Sequence, residues 1–138
     1  MLNALTIDVE DYFQVNAFAG VIRPSDWHGY PLRVEANTHR VLDLLDRHGV
    51  KATFFVLGWI AERLPRLVRE IRGRGHEIAS HGYGHQLVYT VGPEAFRQDV
   101  RRSKEILEEI TGEAVRGYRA PSYSITGKSL WALKILVE

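Results

Sequence analysis

Cysteine is absent from all 138 residues, so this chain has neither a disulfide framework nor a thiolate to serve as ligand or nucleophile. No stretch approaches the ~18 consecutive apolar residues of a membrane span. The opening lacks the basic leader of a signal peptide and reaches Asp8, Glu10 and Asp11 almost at once. Together these absences make a cytoplasmic location the expectation. Long runs of one charge are missing too. With 18 Lys and Arg against 17 Asp and Glu, the formal net charge is +1, without the electrostatic footprint of a nucleic-acid binder. There is no internal repeat, low-complexity tract or linker. What remains, 45% hydrophobic and 25% charged residues, suits one globular domain with its own core.

Hydrophobic periodicity predicts alternating strands and helices. Leu2 to Val9, Lys51 to Leu57, His76 to Ser80 and Val115 to Arg119 read as short apolar strands, suited to burial on both faces of a parallel sheet. Val34 to His48 fits a helix ended by Gly49, and Pro93 to Ile110 fits another, ended by Thr111-Gly112. Between them, Trp59 to Arg72 is helical, with Pro65 either opening the regular part or kinking it. A last helix begins at Gly127 and runs to Glu138. Residues 12 to 33 form a connection long enough to be functional, whose aromatics Tyr12, Phe13, Phe18, Trp27 and Tyr30 either line a groove or pack down as a lid.

The order β-α-β-α-β-α-β-α implies parallel strands with right-handed crossovers, and sites in such folds lie at the carboxyl ends of the strands. Four such units are half of an eight-fold barrel, and no stop signal follows Leu136-Val137-Glu138. The expectation is therefore one α/β domain over 1–138 that is cut short at its C-terminus. An open sheet of four or five strands is the complete-domain alternative.

Three motifs follow predicted strands one, three and four. His81 and His85, in the turn Ser80-His81-Gly82-Tyr83-Gly84-His85, are either metal ligands or two solvated loop histidines. Asp8-Val9-Glu10-Asp11 puts three acids at a strand end, where they repel one another unless a cation sits among them. Strand alternation places Asp8 and Glu10 on one side, giving a third ligand and a nearby base. A helix cap or solvated turn is the other reading, plausible for Asp11 and poor for Asp8. Arg119, before Pro121, can hold a carboxylate in a bidentate pair, or serve as a structural salt bridge. His76 reads as structural, and His28, His39 and His48 as surface groups.

The set Leu5-Thr6-Ile7-Asp8, Gly75-His76-Glu77-Ile78-Ala79-Ser80-His81 with His85, and Arg119-Ala120-Pro121 resembles the polysaccharide deacetylases of the NodB-homology type. Asp8 to Phe13 and Arg119-Ala120-Pro121-Ser122-Tyr123-Ser124 resemble the subgroup associated with exosortase and exopolysaccharide gene clusters. The resemblance implies a deformed (β/α) barrel, of which about four β/α units are present, and removal of N-acetyl groups from a glycan at a divalent-metal site, most suitably Zn²⁺. By position it implies that Asp8 is the catalytic base, that His81 and His85 hold the metal, and that Arg119 orients the base. Val9 stands where the family has its second aspartate, so the acidic ligand falls to Glu10, with Asp11 in reserve. Gly82 replaces the family's Ser or Thr, and Ser122 stands where an aromatic is usual, with a backbone N–H there or at Tyr123 implied to face the oxyanion. No histidine follows His85, so the family's general acid has no counterpart in these residues. Two rival expectations stand beside deacetylation: a catalytically incomplete carbohydrate-binding remnant, and a hydrolase of another C–N bond such as an imide or ureide. The loop aromatics, suited to stacking on sugar rings, favour the glycan.

Overall fold

Strands β1 (Thr6–Val9), β2 (Thr53–Val56) and β3 (Glu77–Ser80) pair in parallel in that order in a computed structural model that describes residues 3–138. The predicted start of the first strand at Leu2 lies outside the described residues. All three strands are shorter than the apolar runs that predict them. Pairing begins at the row Thr6–Thr53–Glu77 and ends at the row Val9–Val56–Ser80, so only four residues of each run share a ladder. That common last row sets the site: Glu10, Leu57 and His81 leave the sheet side by side at one edge.

Helix α1 (Val34–His48) has the predicted bounds, and α4 (Pro93–Thr111) runs one residue beyond them. Both are specified by local signals, an apolar stripe closed by a glycine. The segment after β2 is two helices, α2 (Gly58–Arg63) and α3 (Pro65–Gly73), broken at Leu64 (φ −123°, ψ 55°). Pro65 therefore opens a helix, as its missing N–H and the restriction it places on the preceding residue favour. The last helix, α5 (Trp131–Leu136), starts later than expected because Ser129 first closes a turn. The buried Ser129 Oγ accepts from Thr126 N–H at 2.9 Å and donates to Ser124 O at 3.0 Å.

Val9, Phe54 and Val56 from the sheet meet Leu42 and Leu45 of α1, Ile60 of α2, Leu67, Val68 and Ile71 of α3, and Leu107 of α4. Each such side chain contributes on the order of 1.5–3 kcal/mol when fully buried. A smaller cluster of Val88, Phe96, Ala120, Ala132 and Ile135 ties α5 to α4.

One expectation is corrected. Val115 to Arg119 is not a fourth strand: it meets β3 in a single bridge between Ser80 and Tyr118, where Ser80 N–H donates to Gly117 O and Arg119 N–H to Ser80 O, both at 2.9 Å. Pairing stops there because Pro121 follows and Ser122 and Tyr123 turn away with φ of 49° and 52°. The loop aromatics pack down, the second of their two readings, rather than offering an open stacking platform. Phe13 and Trp27 are buried, Phe13 stacks on Tyr30 at 5.4 Å, and Trp27 meets Trp59 edge-on at 5.4 Å. Of the five, only Phe18 is substantially exposed.

Candidate metal centre

Glu10 follows β1 and His81 follows β3 at the shared last row of the ladder, and the turn Gly82-Tyr83-Gly84 brings His85 back beside them. Among the described residues, Glu10, His81 and His85 present ligand atoms that all lie within 4.8 Å of one another. His85 Nε2 is 2.8 Å and His81 Nε2 3.7 Å from Glu10 Oε2. These separations bracket the ~3.4 Å edge of a tetrahedron around an ion with bonds of ~2.1 Å.

Hydrogen bonding fixes what His81 offers. His81 Nδ1 lies 2.8 Å from the carbonyl of Arg119, which can only accept, so Nδ1 carries the proton and Nε2 presents a lone pair. Burial lowers the His81 pKa against the raising effects of Asp8, that carbonyl and Glu10, which keeps the ring neutral. Burial also works to raise the Glu10 pKa, but the nearness of His85 and His81 outweighs it and the carboxyl sits below its ordinary value. Despite the short contact with His85, Glu10 Oε2 is buried without a hydrogen-bond donor. The His81 lone pair and an ionised carboxylate oxygen thus converge beside His85 Nε2. The residues fit a divalent cation.

Asp8 and Arg119 stand next to this group. Arg119 Nη1 donates to Asp8 Oδ1 at 2.6 Å and Nη2 to Thr6 Oγ1 at 2.7 Å, while the guanidinium lies over the Phe55 ring at 4.1 Å. Phe55 is the ladder partner of Asp8, so the sheet itself supplies the apolar floor under the ion pair.

Asp11 does not share in the centre. Its Oδ2 accepts from the N–H groups of Arg33 (2.7 Å) and Val34 (3.0 Å), capping α1 from across the loop, and its Oδ1 accepts from Tyr12 N–H at 2.9 Å. The structure therefore gathers Glu10, and not the reserve candidate Asp11, with the two histidines, because both Asp11 oxygens are already engaged. His76 is structural as expected: it is buried and its Nδ1 accepts from Ala52 N–H at 3.2 Å. His28 and His48 are exposed, and His39 is half-exposed and pairs with Glu70 at 2.9 Å.

Among the described residues, three other than glycine have left-handed backbone, and all are at this end: His85 (φ 51°), Ser122 and Tyr123. Such conformations concentrate at functional sites. A cleft of about 330 Å³ opens beside His85, lined by Phe13, Trp27, Gln86 and Leu87, and another of about 240 Å³ adjoins Asp8 and Glu10.

A profile for the family Polysaccharide deacetylase matches residues 28–136. The chain belongs to that family. It is 38% identical over 96 residues to a peptidoglycan-N-acetylglucosamine deacetylase of Bacillus cereus, covering 69% of this chain and 35% of the relative. A chitooligosaccharide deacetylase of Sinorhizobium fredii is 38% identical over 85 residues, or 61% of this chain and 40% of that one. A crystal structure from Mycobacterium smegmatis, assigned to the polysaccharide deacetylases, superposes with a TM-score of 0.76 at 30% identity, covering 96% of this chain and 46% of its own. The α/β fold is thus that of the family's solved members, and the chain spans about a third to a half of the length of these relatives. The profile starts after the acids at 8 to 11, so their placement rests on the geometry described above.

Sequence reasoning missed several residues that hold this cluster together: Thr6, Gly58, Asp99 and Ser103. Asp99 accepts from Tyr83 N–H at 2.8 Å and Gly84 N–H at 3.1 Å. Its burial raises the carboxyl pKa against the lowering effect of those two donors. One signal was available: Asp99 and Ser103 are polar positions on the α4 face that carries Phe96 and Leu107.

Proposed function

We propose that the protein hydrolyses N-acetyl groups on a sugar polymer, using a divalent metal, most suitably Zn²⁺, held by Glu10, His81 and His85. One observation carries this reading: a His-His-carboxylate cluster with both imidazoles buried, beside a separately anchored Asp–Arg pair. A cation bound there would supply Lewis acidity and lower the pKa of water. Asp8 accepts the proton of the attacking water, and Arg119, braced on Thr6, keeps that carboxylate aimed. Of the two backbone donors after the Arg-Ala-Pro turn, Tyr123 N–H is committed to Ala120 O at 3.0 Å. That leaves Ser122 N–H for the developing oxyanion. The amide C–N bond then breaks, the leaving nitrogen taking up the proton that Asp8 holds, to give acetate and the sugar amine. The clefts beside His85 and Asp8 give a glycan chain room on two sides of the centre. The names of the relatives support an N-acetylated glycan, and Asp8-Val9-Glu10-Asp11-Tyr12-Phe13 supports membership of the exosortase- and exopolysaccharide-associated subgroup.

The test is metal content together with acetate release from acetylated glycan oligomers. About one metal per chain is expected, lost in the double variant His81→Ala/His85→Ala. Asp8→Asn is expected to keep the metal and lose activity by about 10²–10⁴-fold. Metal-loaded protein that releases no acetate, with the full-length chain, would leave a binding function in place of catalysis.

A further inference from the structure

The turn that carries both histidines belongs to no helix or strand, yet its backbone polar groups are taken one after another. Gly82 N–H donates to Ser80 Oγ at 3.1 Å, Tyr83 N–H to Asp99 Oδ2 at 2.8 Å, and Gly84 N–H to Asp99 Oδ1 at 3.1 Å. In the other direction, Gly82 O accepts from Gly58 N–H at 2.8 Å and Tyr83 O from Trp59 N–H at 3.1 Å, at the start of α2. Two helices therefore grip one short segment from opposite sides.

The grip of α4 comes from a single face. Asp99 and Ser103 are four residues apart, hence stacked on one side of the helix, and Ser103 Oγ meets Ser80 Oγ at 2.9 Å. Space is as tightly allotted as hydrogen bonds. A Cβ on Gly82 would lie 2.7 Å from Asp99 Oδ2, and one on Gly58 2.8 Å from Tyr83 Cδ2 and 3.2 Å from Ser103 Cα. The volume that a side chain at 82 would fill is occupied by the Asp99 carboxylate. Each oxygen of that carboxylate takes one of two consecutive N–H groups, which sets the peptide planes leading into His85, and His85 itself sits in left-handed backbone.

We propose that Asp99 is a positioning residue of the metal centre: by holding Tyr83 and Gly84 N–H it fixes the backbone at His85 and so aims that imidazole at Glu10. This rests on Glu10, His81 and His85 being the ligands. Asp99 touches neither metal nor substrate. It acts through the turn, as the groups that orient metal-bound histidines do elsewhere.

The experiment is a competition titration of Zn²⁺ against a chromophoric chelator, well below the melting temperature. It compares the full chain with Asp99→Ala and Asp99→Asn, alongside thermal melts of the metal-free proteins. Asp99→Ala is expected to weaken Zn²⁺ binding by about 10–100-fold. Asp99→Asn is isosteric and its amide oxygen still accepts one N–H, so it folds and shows a smaller loss. A residue that merely stabilised the fold would lower melting while the folded protein kept its Zn²⁺ affinity. Unchanged affinity in folded Asp99→Asn and Asp99→Ala overturns the inference and leaves the metal centre standing. No Zn²⁺ binding by the unaltered chain overturns the metal centre and the inference together.

Discussion

Two histidines bracket β3, His76 before it and His81 after it, and they do opposite things. Both are buried, and burial lowers the pKa of each. What separates them is the partner of Nδ1. At His76 the partner is the Ala52 N–H, so Nδ1 must accept, the proton sits on Nε2, and Nε2 has no partner. At His81 the partner is the Arg119 carbonyl, so Nδ1 must donate and Nε2 presents its lone pair beside Glu10. One strand thus carries a histidine that completes the backbone at its amino end and one that offers a free ligand atom at its carboxyl end. The role of an imidazole here is decided by the sense of one hydrogen bond.

Exchanging the two losses breaks the comparison most sharply. His81→Ala is expected to remove metal binding while leaving a folded chain. His76→Ala is expected to leave the ligand set intact but lower stability by roughly 2–4 kcal/mol, through a cavity and an unpaired Ala52 N–H. Metal titration and urea unfolding of both variants check this, and metal loss in folded His76→Ala would contradict it. The shared pKa shift gives a smaller effect. A histidine whose folded-state pKa lies below its unfolded value of about 6.5 binds protons more readily when unfolded. Stability of the metal-free protein is therefore level above that pH and falls as the solution is acidified through it. The Glu10 shift has the same sign but acts in the more acid carboxylate range. Urea midpoints at pH 7.5 and 5.5 should differ in this direction, and by less in His76→Gln; equal midpoints in the unaltered chain would refute the assignment.

Glycines at the two ends sharpen the contrast on the smallest scale. Gly75 (φ 82°) and Gly82 (φ 74°) are both left-handed, but a Cβ at 75 meets only the flexible Lys51 side chain at 3.5 Å. Gly75→Ala should cost about 1 kcal/mol from the backbone alone. Gly82→Ala should cost more, because the Asp99 carboxylate must also move. Equal costs in urea unfolding would mean that the carboxylate yields freely.

The alternation of strands and helices was legible because each parallel strand is an apolar run and each long helix carries its own stripe and stop. Val115 to Arg119 was misread because a strand is a relation to neighbours: the run is β-prone, yet it has one bridge to β3. The loop aromatics were legible as aromatics but not as to which way they face. At the site, alternation in Asp8-Val9-Glu10 put the two useful acids on one side without help. Excluding Asp11 needed the knowledge that Arg33 and Val34, more than twenty residues later, would claim its carboxylate. Asp99 was legible only as a misfit in an apolar stripe.

The ion pair between Asp8 and Arg119 joins residues 111 apart in sequence, whereas α1 and α4 form through contacts a few residues long. Loop-closure entropy favours an order in which the helices form early and the pairing of Asp8 with Arg119 comes late. The histidines, four apart, are neighbours from the outset; the carboxylate at position 10 joins them only once the first strand has docked. On that order an ion met by the folding chain is expected to find an imidazole pair first and the acid afterwards, and the strand that delivers Glu10 closes the centre as it closes the sheet.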